Sequence, residues 1–157
     1  MAKTVLRIYL SYSQLCIFLR SLAEPFNSWS DRSFSQGFSW RPGSVSFRAL
    51  AEEGDHKISL FINETIPELA ANVVRAFKVP FETSDGDVEI SSISDSTAIE
   101  IPAGQYSLQV EFLRLEAGEV PEINVRLNKG DSGFAILRAD EEVVTDGDFD
   151  LNAEPAT

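Results

Sequence analysis

The chain has 157 residues, 43% of them hydrophobic and 24% charged, a single cysteine and a formal net charge of −12. That length suits one domain with its own core. One cysteine excludes an internal disulfide framework and fits a reducing compartment, and with no uninterrupted apolar run of 18 residues there is no transmembrane helix. The charge is also lopsided: residues 1–48 hold six basic residues against two acidic ones, a net of +4, so the remaining 109 carry −16. Such a field disfavours direct nucleic-acid binding and favours encounter with a cationic partner.

Arg7, Ser11, Ser13 and Gln14 break the N-terminal apolar stretch and no small-residue cleavage site follows, so no signal peptide is expected and the reading is cytoplasmic. Residues 5–12 are apolar on both faces apart from Arg7 and Ser11, as are residues 14–19. Both are expected as strands buried on two sides or central in a sheet, with a bend near residues 11–13. Cys16, among Leu15, Ile17 and Phe18, reads as a packed thiol.

An irregular stretch crowded with Phe26, Trp29, Phe34, Phe38 and Trp40 follows. Residues 30–37 offer an N-cap at Ser30 or Asp31 and a C-terminal Gly37, which predicts one or two helical turns. Aromatics on an irregular segment either plug the end of a sandwich or anchor a partner. Trp29, Trp40 and Asp31 are therefore candidate contacts, with plug and cap as the competing roles.

Val45 and Phe47 alternate, then come the acidic turn residues Glu52, Glu53 and Asp55, then Ile58, Leu60 and Ile62. Residues 64–74 are expected to form a helical turn or two, with Pro67 tolerated in the first. Phe77, Val79 and Phe81 face Val88 and Ile90 across Asp85-Gly86, the signal of a tight hairpin with Asp85, Asp87 and Glu89 on it. Further alternating runs cover Ile99 and Ile101, Tyr106 to Phe112, Ile123 to Leu127, and Phe134 and Ile136, separated by turns such as Pro102-Ala103-Gly104 and Lys129-Gly130-Asp131. The fold expected is mainly β: a single-domain antiparallel β-sandwich, or flattened barrel, over residues 1–148 with one or two short helical turns. Residues 149–157 are expected as a disordered acidic tail.

Catalysis has little to work with. His56 alone could serve as an imidazole base, and it reads as a solvated turn residue. Two acidic loops, at Asp85 and Asp146, lack the glycine and the bidentate Glu that a helix-loop-helix calcium site needs. No enzyme activity, metal or cofactor is expected.

Six landmarks in order carry a family resemblance: Ser11-Tyr12-Ser13-Gln14, Trp29-Ser30-Asp31, Gly43-Ser44-Val45-Ser46-Phe47, Lys78-Val79-Pro80-Phe81, Asp87-Val88-Glu89-Ile90 and Ile101-Pro102-Ala103-Gly104-Gln105-Tyr106. Together they resemble the competence protein J (ComJ, or Nin) family. The resemblance implies a proteinaceous inhibitor of a bacterial DNA-entry nuclease, or an immunity protein against a related toxin nuclease, with association to a membrane only through that partner. The acidic balance gives a mechanism: carboxylates occupy the basic, metal-dependent groove where DNA phosphates would lie. Contacts are expected first at Asp85, Asp87 and Glu89, then at Glu52, Glu53 and Asp55, then at Glu116, Glu119 and Glu122. The alternative is a β-sandwich binding module for a carbohydrate or lipid.

Overall fold

Alternation of large apolar with polar residues builds the sheets. Tyr106, Leu108, Val110 and Phe112 on one strand and Ile123, Val125 and Leu127 on its neighbour are all buried on one side, as a period of two requires. The computed structural model describes residues 3–130 and 133–156. Among these residues the chain runs β1 (Lys3–Leu10), β2 (Gln14–Leu19), α1 (Asp31–Gln36), β3 (Phe38–Arg41), β4 (Ser44–Arg48), β5 (Gly54–Ile62), β6 (Val73–Thr83), β7 (Asp87–Ser91), β8 (Ser96–Glu100), β9 (Gly104–Leu113), β10 (Glu122–Lys129) and β11 (Ala135–Arg138). A six-stranded sheet in the order β1-β5-β10-β9-β6-β11 faces a five-stranded sheet in the order β3-β4-β2-β7-β8. Both are open, so the sandwich reading holds and the barrel does not.

One pair departs from the antiparallel expectation: β10 lies parallel to β5. Through β9 the direction reverses twice, so β6 also runs parallel to β5. Residues 63–72 must therefore return along the whole sheet to start β6 at its other end. They are tied at one end by Asn63 N–H to the Leu127 carbonyl (2.8 Å) and at the other by Arg114 N–H to the Asn72 carbonyl (2.7 Å). Ten extended residues reach about 33 Å, against about 15 Å as helix, which is why the helical turn expected over 64–74 is absent. Glu111 and Arg126 point away from the core yet are buried, with Arg126 Nε donating to Glu111 Oε2 at 2.9 Å and lying 4.3 Å from the Phe61 ring centroid.

Other expectations need correction. β1 is an edge strand with Val5 and Tyr9 exposed, whereas β2 is central and buried on both faces. Phe38 to Arg41, read as irregular, is strand β3, whose Phe38 packs edge-on to Phe77. Asp85-Gly86 joins β6 in one sheet to β7 in the other, so it makes no hairpin. Gly86 has a φ of +78° and a Cβ there would lie 2.0 Å from the Ile101 carbonyl oxygen, so close approach to the chain leaving β8, just beyond the Asp87–Glu100 pair of the β7–β8 ladder, fixes the glycine. His56 is buried on β5 opposite Ile8, its Nδ1 2.8 Å from the Gly54 carbonyl, and is no solvated turn residue. The expected helix is α1, capped by Ser30 rather than Asp31 and ended by left-handed Gly37.

Where a disordered tail was expected over 149–157, residues 149–156 lie along the free edge of β3. Ala153 N–H donates to the Trp40 carbonyl at 3.1 Å, Ala156 N–H to the Phe26 carbonyl at 2.8 Å, and Phe149 packs on Phe38. Backbone pairing to an exposed edge strand holds this acidic segment despite its composition. Thr157 lies outside the described residues, as does Asp131 of the expected Lys129-Gly130-Asp131 turn.

Candidate partner-binding site

The register gathers four segments at one end of the sandwich. Leu10 pairs with Gly54, Gln14 with Arg48 and Cys16 with Ser91, so the β1–β2 turn, the β4–β5 loop and the β7–β8 loop all leave their sheets there. Ser92 Oγ joins two of them by accepting from Ser11 N–H at 2.9 Å. The β9–β10 loop emerges at the same end, because β10 runs parallel to β5 and its first residue, Glu122, pairs with Lys57 near the start of β5.

A groove of about 490 Å³ opens at this end between Tyr12, Gln14, Trp29, Phe34, Arg48, Glu52 and Glu142. A second, of about 460 Å³, lies on the other side of Tyr12 and is bordered by Glu52, Glu53 and Ile93. Tyr12, Phe34 and Ile93 are exposed apolar side chains. Trp29 is half-buried, and its indole N–H makes no hydrogen bond among the described residues.

The charges here are of two kinds. Arg48 lies 3.9 Å above the Phe34 ring centroid, donates from Nη1 to the Phe34 carbonyl at 2.9 Å, and reaches Glu142 at 3.7 Å. Burial is the main influence pulling its pKa down, with repulsion from Arg75 adding and Glu142 and Asp140 opposing. Behind it Arg75 is fully buried, donating to Asp140 at 2.8 Å and to Glu142 at 3.2 Å. Glu52 and Glu53, in contrast, project into solvent. Glu53 accepts a hydrogen bond from the Tyr9 hydroxyl at 3.2 Å, and that bond is the main reason the phenol is held above its usual pKa. Aromatic walls beside solvent-exposed carboxylates suit recognition of a basic protein surface.

The contacts expected from sequence divide between the two ends. Glu52, Glu53, Asp55 and Trp29 share the grooved end, and Glu116, Glu119 and Glu122 border a smaller recess of about 100 Å³ on the β9–β10 loop of that end. Asp31 is exposed on α1, three residues before Phe34. Asp85 and Asp87 lie at the opposite end, where Asp85 Oδ1 accepts from Asp87 N–H at 2.9 Å in an Asx turn. Glu89 is paired with Arg20 at 3.3 Å. Trp40 is half-buried, with its indole N–H donating to the Pro80 carbonyl at 2.9 Å and its ring edge-on to Phe134, and it lines a groove of about 480 Å³ with Pro42 and Ser84 at that opposite end. Tyr12, Arg48 and Glu142 were not foreseen as site residues, and Phe34 only as one of the aromatics crowding residues 26–40. The signals for Tyr12 were its place in the Ser11-Tyr12-Ser13-Gln14 landmark and the bend expected near residues 11–13, which lacks Gly and Asn.

Among solved structures, the crystal structure of ComJ from Bacillus subtilis, described as the inhibitor of the DNA-degrading activity of NucA, is similar at a TM-score of 0.71 and 19% identity, covering 81% of this chain and 96% of that one. A structure described as crocagin biosynthetic gene J is similar at a TM-score of 0.58 and 16% identity, covering 83% of this chain and 100% of the other. No curated protein matches the sequence. The model of the family Competence protein J (ComJ) matches residues 7–130, and the chain belongs to that family.

Proposed function

We propose that this protein inhibits a bacterial nuclease of the DNA-entry type by covering its basic, metal-dependent active-site groove, and that it catalyses nothing itself. Membership of the ComJ family supports the function. The observation that carries the mechanism is the grooved end, where the solvent-exposed carboxylates of Glu52 and Glu53 lie beside the exposed rings of Tyr12 and Phe34. A nuclease that grips DNA phosphates must present cations, and carboxylates can take the phosphates' place. The apolar rings add the desolvated contact that keeps such a complex together. An immunity role against a toxin nuclease would use the same chemistry. A sugar-binding module would want its aromatics on a sheet face, whereas these lie on loops and a short helix. A single buried thiol fits a reducing compartment, so we take the site of action to be cytoplasmic.

The test is plasmid cleavage by the NucA-type nuclease of the same genome, titrated with this protein at low and high salt. Stoichiometric inhibition that weakens as salt rises is expected. Cleavage unaffected at every ratio would reject the function, and inhibition indifferent to salt would reject the electrostatic mechanism.

A further inference from the structure

The β1–β2 turn connects two sheets through two central residues, Tyr12 and Ser13, both with a φ of +56°. Such consecutive left-handed residues are the mark of a type I′ turn. Sequences usually fill it with Asn and Gly, because a Cβ crowds the neighbouring carbonyl in this conformation. The Ser13 backbone explains how the geometry is imposed: its N–H donates to the Glu52 carbonyl at 2.8 Å, and its own carbonyl accepts from Ala49 N–H at 2.7 Å. Nothing comparable explains a tyrosine at position 12. The side chain is 74% exposed, the most exposed large hydrophobic residue among those described, and gives the core nothing. Strain retained under a solvent-facing ring points to use, not to stability.

The position suits that use. Tyr12 stands between the two grooves, with Glu52 bordering both and Glu53 on one side. A ring that buries apolar area and offers its face to a cation, next to the solvent-exposed carboxylates of Glu52 and Glu53, matches a surface rich in Arg and Lys. We propose that Tyr12 is the anchor of this inhibitor, its ring held out in advance by the strained turn to enter the basic face of the nuclease beside Glu52 and Glu53. The proposal rests on the inhibitor function above.

The test compares Tyr12→Asn, whose side chain tolerates the left-handed slot, with Tyr12→Trp, which keeps an aromatic ring, by plasmid-cleavage inhibition and by thermal unfolding. Tyr12→Asn should raise Tm by about 2–4 °C while weakening inhibition at least about tenfold. Tyr12→Trp should retain most of the inhibition. Parent-like inhibition by a folded Tyr12→Asn protein would overturn the anchor, and a lowered Tm would overturn the claim that the ring is held at a cost to the fold. If the parent itself fails to inhibit, the inhibitor function falls and the anchor with it.

Discussion

Arg75, fully buried on β6, donates from Nη2 to Oδ2 of Asp140 at 2.8 Å across 65 residues of sequence. A charge inside the stretch matched by the family model is thus neutralised from outside it. Removing Asp140, itself half-buried, leaves the fully buried guanidinium undercompensated. Asp140→Ala should therefore lower the unfolding free energy by about 2–4 kcal/mol, tempered because Glu142 still reaches the guanidinium. Urea denaturation measures this, and a loss below about 0.5 kcal/mol would show the pair to be unimportant.

The contrast between two ion pairs gives a second prediction. Arg126 and Glu111 pair beside Phe61 on the six-stranded sheet, both nearly inaccessible, whereas Arg20 in the Arg20–Glu89 pair is half exposed. Arg126→Met should cost about 3 kcal/mol and Arg20→Met less than about 1 kcal/mol. Equal costs in urea denaturation would mean that burial does not control these energies.

Much of the fold was legible because alternation is local. Tyr106 to Phe112 and Ile123 to Leu127 announce their strands in a window of seven residues or fewer. What could not be read was pairing at a distance. Residues 64–74 have helical capacity, but the parallel relation of β5 to β6 demands length, and no local signal carries that demand. Asp85-Gly86 signals a positive φ truthfully without saying whether the next strand joins the same sheet. The site was legible in part for the same reason. Acidic turns are visible in sequence, but which of them share an end depends on registers such as Leu10 with Gly54.

His56 supplies a pH dependence. Burial is the main influence lowering its pKa below 6.5, outweighing the Gly54 carbonyl and the Asp55 charge, which act the other way. With the folded pKa below the unfolded one, the unfolded chain takes up the proton first. Its contribution is then fully present above about pH 6.5 and is lost as pH falls through the folded value. The urea midpoint should decline from pH 7.5 toward pH 5, and His56→Phe should flatten that decline. An unchanged slope in the variant would assign the effect to the carboxylates.

Cys16 offers a test of core integrity. Burial pushes its thiol up to about 12, with a hydrogen bond from Ser46 opposing. The native protein at pH 8 should therefore resist iodoacetamide until denaturant is added. Prompt alkylation without denaturant would mean that the centre of the five-stranded sheet opens readily.

The most direct test of the account is hydrogen exchange of the protein alone and in complex with the nuclease. Binding at the grooved end predicts new protection at residues 11–14, 49–54 and 92–95, with residues 42–43 and 84–87 at the opposite end unchanged. Protection confined to residues 84–87 would move the interface to the Asp85-Asp87 turn and contradict the site described.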